Sequence, residues 1–230
     1  TLAMSGTGIN NNGLKITSDG DISAYTSNRQ TATTDLTIVF EEARLGQNYV
    51  LASFGDGFQE QDGGQFSVQA TQDGTAFTVT LPDGQTANVT LAAGETFKFS
   101  TVDTAGNSAL GVTVVDGFDL TGTLITSNQP VAVFSGHGLT NIGNGAADHI
   151  VEQMPAISAL SQSYVVAEAF SSSGLGNNLV RVIAAEVDTE VRIDGALVAT
   201  LAAGEFHEFT LSTIAQTVTT TNPALVAQYL

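Results

Sequence analysis

The sequence predicts an all-β protein built as two tandem antiparallel β-sandwich, jelly-roll-like units, and three observations predict it. Apolar and polar residues alternate with a period of two over much of the chain, as in half-buried strands. Asp-Gly pairs of the kind that close hairpins punctuate the alternation. A hexapeptide then recurs 110 residues after its first occurrence.

The alternation defines the expected strands in order. In the first half these are Leu14–Thr17, Ile22–Thr26, Leu36–Phe40, Tyr49–Phe54, Phe66–Ala70, Phe77–Leu81 and Ala87–Leu91. Phe77, Val79 and Leu81 share one face while Thr78 and Thr80 share the other, and Asp19-Gly20, Asp73-Gly74 and Asp83-Gly84 supply turns. Gly111–Val115 closes this half, and the second half offers Gly122–Thr126, Val131–Phe134, Tyr164–Phe170, Val180–Ala184, Val191–Ile193, Glu205–Leu211 and Thr217–Thr221, with a turn at Asp194-Gly195. No stretch has the period of a long amphipathic helix; one short turn is expected at Ile157–Leu160.

The repeat organises these strands. Thr90-Leu91-Ala92-Ala93-Gly94-Glu95 returns as Thr200-Leu201-Ala202-Ala203-Gly204-Glu205, each copy preceded by an Asp-Gly turn and followed by a matching phenylalanine, Phe99 and Phe209. Ile16-Thr17-Ser18-Asp19 matches Ile125-Thr126-Ser127-Asn128, Asp35 matches Asp148, and Tyr49 matches Tyr164. The units expected are therefore 1–120 and 121–230. Thr221-Asn222-Pro223 also resembles Ser127-Asn128-Gln129-Pro130, so strands that begin one unit resemble those that end the previous one, and strand exchange between the halves is compatible with the pattern. A repeat of about 110 residues is too long for a solenoid or propeller blade and suits a sandwich.

Composition excludes several functions. Twenty-three acidic residues against six basic ones give a net charge of −17, and the basic residues stand singly, so no stripe exists to displace counterions from nucleic acid or anionic lipid. There is no cysteine, which removes disulfides, zinc–thiolate sites and thiol nucleophiles together. No apolar run of about 18 residues could span a membrane, and the first residues have neither the charged nor the apolar segment of a signal peptide, so the numbered chain reads as soluble and processed. Abundant Thr, Ser, Asn and Gly with 13% charged residues suit an extracellular or cell-surface setting.

Several motifs in a fixed order carry a family resemblance: Gly122 through Gly136 (GTLITSNQPVAVFSG), Asp148 through Pro155 (DHIVEQMP), Tyr164-Val165-Val166, Thr189 through Gly195 (TEVRIDG), Thr200 through Glu205, and Thr221 through Tyr229 (TNPALVAQY). Together they resemble the N-terminal domain of the IgGFc-binding protein family, with coverage from Leu14 onward and a looser fit in the first half. The resemblance implies an extracellular, non-enzymatic module of the kind carried by mucus-associated animal proteins and bacterial surface proteins. The lack of cysteine and the acidity fit a bacterial, adhesin-like member. It supplies no ligand-contact residues.

Candidate chemistry is sparse. Ser135 with His137 or His149 could be arranged as a hydrolase, but Ser135 follows Val133-Phe134 rather than sitting in a Gly-x-Ser-x-Gly elbow. His137, His149 and Glu152 lack the close spacing of a zinc site, and Asp148 and Glu152 read better as acceptors for backbone groups. His207 takes the slot of Phe97 and reads as a packed strand residue. Calcium is the ion the sequence suits: Asp56, Glu60 and Asp62 lie on a glycine-rich loop able to offer carboxylate and carbonyl oxygens, without the spacing of an EF-hand. Asp19-Gly20-Asp21 and Asp116-Gly117-Phe118-Asp119 read as turns, and Tyr25, Phe58 and Phe118 are the aromatics placed for glycan stacking. The expected function is a non-catalytic adhesion or binding module for a protein or glycan on another surface. A self-assembling surface-layer or filament subunit, pairing through the strand-like stretch Thr217–Tyr229, is the alternative.

Overall fold

In the computed structural model, residues 6–30, 33–55, 63–115, 117–142, 147–171, 174–175 and 178–229 are described. The first part of the chain forms β1 (Gly8–Asn10), β2 (Ala24–Gln30), β3 (Thr33–Val39), a 3-10 turn at Glu42–Arg44, β4 (Gly46–Val50), β5 (Gly64–Ala70), β6 (Thr75–Thr80), β7 (Thr86–Leu91), β8 (Thr96–Ser100), the short helix α1 (Thr104–Ala109) and β9 (Leu124–Thr140). The second part forms β10 (Asp148–Gln153), a 3-10 turn at Ile157–Ala159, β11 (Ser161–Ala167), the short pair β12 (Phe170–Ser171) and β13 (Gly174–Leu175), β14 (Leu179–Ala184), β15 (Thr189–Ile193), β16 (Ala196–Leu201), β17 (Phe206–Thr210) and β18 (Ala215–Tyr229). The protein is all-β, as its alternation requires.

Two sheets dominate. The first runs β1-β8-β5-β9-β6-β7, with β4 and β10 also on β9. The second runs β17-β14-β18-β15-β16, with β11 also on β18. Strand for strand, β8-β5-β9-β6-β7 with β4 has the same order as β17-β14-β18-β15-β16 with β11. Both sheets hinge on one long strand. β4 shares Val131 with β5 and Leu124 to Thr126 with β6, so β5 and β6 occupy one edge of β9; β10 meets residues that β5 also meets and therefore follows β4 along the other edge.

The hexapeptides adopt one conformation twice. Gly94 and Gly204 both have φ +81°, a left-handed turn open to glycine at little cost. The N–H of Gly94 donates to the Ala70 carbonyl at 3.0 Å and that of Gly204 to Ala184 at 2.9 Å. The Glu95 and Glu205 carboxylates take the N–H of Ala92 and Ala202, each at 2.7 Å. Each half also pins its long strand with a tyrosine: the Tyr49 hydroxyl donates to Val131 at 2.6 Å and accepts from Gly46, and Tyr164 does the same with Ala224 and Ser161.

The larger core lies against the first sheet, with Phe66 stacked on Phe99 and Phe97 tilted between Phe66 and Phe77. A smaller core holds Val166, Val180, Val182, Val191 and Val218 on one face of the second sheet. β14 is buried on both faces, because Ile183 joins the larger core while Val180 and Val182 join the smaller.

One strand crosses between the expected units, and three expectations change. β9 begins inside the span 121–230 and is the central strand of the first sheet. Gly122–Thr126 and Val131–Phe134 are parts of a region dominated by one 17-residue strand, in which Pro130 falls in the gap between the paired positions Ser127 and Val131. Leu14–Thr17 and Gly111–Val115 are not strands. Thr217–Tyr229 is internal to its sheet over most of its length, with β11 on one edge and β15 and β14 on the other.

Candidate functional site

The histidine-bearing segment forms a cleft of about 210 Å³ on the outer face of the first sheet. β5 contributes Gln65 and Ser67, β8 Lys98, β9 Phe134 and Gly136, and β10 His149 and Val151. Strand alternation places these side chains on one face, while Phe66 and Ser135 turn towards the interior. Gly136 is required here: a Cβ would run into the Ile150 carbonyl and lie 2.9 Å from the Val151 Cα, so any other residue would push β10 away. Burial pulls the Lys98 ammonium below the usual lysine range, and the charge of Asp103 opposes that shift.

β10 is held on its far side by side chains. The N–H groups of Val151 and Gln153 donate to the Asp35 carboxylate at 2.6 Å and the Thr37 hydroxyl at 3.2 Å, and Thr34 donates to Asp148 at 3.1 Å. β3 thus completes the edge of β10 with side-chain acceptors. Asp148 accepts backbone N–H groups as expected. Burial raises the pKa of Glu152, the Thr37 hydroxyl opposes that shift and the nearby charge of Asp35 adds to it.

The hydrolase arrangement does not assemble among the described residues. The Ser135 Oγ is buried and has no hydrogen-bond partner. His137 is buried, and its Nδ1 accepts the N–H of Leu139 at 3.2 Å, so in the neutral ring the proton sits on Nε2. His149 lies on the other face, its Nδ1 3.3 Å from the Gly138 carbonyl. The stretch from Gly136 to Thr140, beyond the expected strand Val131–Phe134, continues β9. His207 stacks on Phe209, in keeping with a packed strand histidine. Asp56, Glu60 and Asp62, together with Phe58, lie outside the described residues. Among the described residues no three His, Asp or Glu side chains gather to hold a metal ion. Of the remaining aromatics, Phe118 packs against the larger core, while Tyr25 is exposed.

Sequence reasoning missed a buried cluster of hydrogen bonds and ring contacts centred on one arginine. Arg181, with only 6% of its side chain exposed, joins the two sheets. Its Nη1 donates to the Ser53 carbonyl at 3.0 Å, Asp119 at 2.8 Å and Thr121 at 2.7 Å, and its Nε donates to Glu208 at 2.8 Å. The guanidinium lies 4.5 Å from the ring centres of both Phe54 and Phe206. Tyr229 completes the cluster: its hydroxyl donates to Ser53 at 2.7 Å, and burial pushes its pKa up to about 12. The signal was present, an arginine in the apolar run Leu179-Val180-Arg181-Val182-Ile183. Arg181 faces Glu208 as Ser67 faces Lys98. The cleft of the first sheet thus occupies the place that Arg181, Phe206 and Tyr229 fill in the second.

These observations define an all-β scaffold with an open cleft on its first sheet. The chain belongs to the IgGFc binding protein family, whose family model matches residues 35–230. It is similar to the human (Homo sapiens) IgGFc-binding protein, 29% identical over 209 residues, which is 90% of this chain and 4% of the human protein. The chain therefore spans a small fraction of that relative's length. No solved structure matches it. Among the described residues no helix is long and apolar enough to cross a membrane.

Proposed function

We propose that this chain is a non-catalytic, extracellular module that binds a protein partner, with the family match over residues 35–230 as the observation that carries the reading. The name of the human relative describes binding to the Fc part of immunoglobulin G, which makes Fc the first ligand to test. The buried, unpartnered Ser135 hydroxyl and the inward-tied His137 support a structural rather than catalytic use of that strand. The outer cleft with Lys98, Gln65, Ser67 and Phe134 is the contact surface we favour, because it is open in one sheet and filled in the other. Titration calorimetry with Fc fragments and with a panel of mucin-type and matrix glycoproteins tests this. Saturable binding weakened by Lys98→Ala and Phe134→Ala supports it; turnover of any partner, abolished by Ser135→Ala, sinks it.

The shared strand order supports a second reading, that the two sheets are copies of one jelly-roll-like unit whose sequence repeats over 1–120 and 121–230 with strands exchanged between the halves. A calcium site at Asp56, Glu60 and Asp62 stands as a separate proposal, supported by three carboxylates within seven residues beside glycines. Calcium titration of the chain and of its Asp56→Asn/Asp62→Asn variant decides it: equal heats in both would remove the site. A bacterial surface setting is the reading we attach to the acidity and the missing cysteines.

A further inference from the structure

Three stretches of the chain are versions of one long strand. β9 is one. β18 is another, since Tyr164 faces Val218 and Ser161 faces Ala224 as Tyr49 faces Ile125 and Gly46 faces Val131. Residues 13–30 are the third by position, although only Ala24–Gln30 of them is strand. Ile16-Thr17-Ser18 repeats Ile125-Thr126-Ser127 at a spacing of 109 residues. A Cβ on Gly13 would run into the Gly94 carbonyl just as one on Gly122 would run into that of Gly204. Tyr25, the same 109 residues before Phe134, faces Ile38 as Phe134 faces Gln153.

Two of these three strands carry an incoming strand in the same way. β3 lies on β2 and leads into the turn Glu42–Arg44; β10 lies on β9 and leads into the turn Ile157–Ala159. β18 is the exception. β11 covers one edge of it as far as Ala224, and among the described residues no strand continues along that edge, while β14 pairs with the opposite edge up to Tyr229. The Ala224 carbonyl takes the Tyr164 hydroxyl and so lies on the β11 edge. Alternation then turns the backbone N–H and C=O of Val226 and Gln228 to the same side. Their counterparts in β9 are Val133 and Ser135, and the Val133 carbonyl accepts the N–H of Met154 at 2.8 Å as β10 runs into its turn.

We propose that the edge of β18 at Val226 and Gln228 is a docking site for the leading strand of another unit of this same kind, seated as β10 is seated on β9. The proposal rests on the two-unit reading above. It makes the chain a link in an interleaved array, each unit's first strand completing the sheet of the unit before it.

The probe is a fluorescein-labelled peptide of residues 147–160, the chain's own β10 and following turn, titrated into the 230-residue chain and followed by anisotropy. Saturable one-to-one binding is expected, weakened at least tenfold by Gln228→Pro. That proline removes an N–H that faces the open edge, and its fixed φ is compatible with an edge strand. A peptide N-methylated at Glu152 and Met154, whose amides face the long strand, is expected to lose binding by a similar factor without altering the protein. No binding overturns the proposal. So does binding that persists in Gln228→Pro, which would place the peptide elsewhere, for example in the seat of β10 itself. The paired glycine substitutions below test the two-unit reading separately, so the two failures are distinguishable.

Discussion

At the residue scale, Arg181 shows how a charge is accommodated between sheets. Desolvation works against its charged form, and Asp119 and Glu208 outweigh it, leaving the pKa raised. Removing one member of such a pair leaves the others desolvated without a partner. Arg181→Met is therefore expected to cost about 3 kcal/mol, measured by urea denaturation, because Asp119 and Glu208 are partly exposed and recover some hydration. Tyr229→Phe costs less, about 1 kcal/mol, since the Ser53 carbonyl keeps Arg181 and Thr121 as donors. Loss of less than 1 kcal/mol in Arg181→Met would show that the cluster is not a keystone. Ser135 goes the other way: its hydroxyl is buried without a partner, so Ser135→Ala should leave the melting temperature unchanged or raise it.

At the element scale, the two hexapeptide turns make a controlled comparison. Both glycines have φ +81°, so alanine at either is strained by about 1–2 kcal/mol. A Cβ at Gly94 meets nothing within 4 Å, whereas one at Gly204 would meet the Gly122 carbonyl at 2.6 Å. Gly204→Ala is therefore expected to lower the melting temperature more than Gly94→Ala. Equal losses would mean that the contact of the second turn with Gly122 relaxes freely; no loss in either would refute the shared turn.

At the scale of the whole molecule, pH acts through carboxyl groups whose pKa values are shifted in opposite directions. Asp103 is held well below the usual carboxylate range by the N–H groups of Gly106 and Thr7, and Asp194 by Gln216 and Thr217. A lowered pKa stabilises the fold above the usual aspartate range, and that contribution disappears as pH falls through the lowered value. Asp103→Asn should thus flatten the acid limb of the stability curve and loosen the segment around Thr7, visible as faster amide exchange there. Glu152 has a raised pKa, so its ionisation weakens the fold as pH rises from the usual glutamate range through the raised value. Glu152→Gln should raise the melting temperature at pH 7 and leave it nearly unchanged at pH 4; a gain equal at both would show that charge is not the cause. With a net charge of −17, added salt should also raise the melting temperature by screening self-repulsion.

Period-two alternation and Asp-Gly turns were enough to read most strands, because a strand with one buried face must place apolar residues at every second position. The repeated hexapeptide was enough to locate two turns that need glycine. The site was less legible. Arg181 reads as an oddity in an apolar strand, and only the approach of Ser53, Asp119 and Phe54, distant in sequence, turns it into a junction. β10 is missing from the strands read by alternation: Asp148-His149-Ile150-Val151-Glu152 does not alternate, and its outer N–H groups are met by Asp35 and Thr37, side chains more than 100 residues away that leave no mark in its own pattern. Local chemistry determined what each segment of this chain is. Which edge of β9 or β18 it lies on was decided only by the tertiary structure, since pairing depends on which backbone groups remain unmet once all other strands are placed.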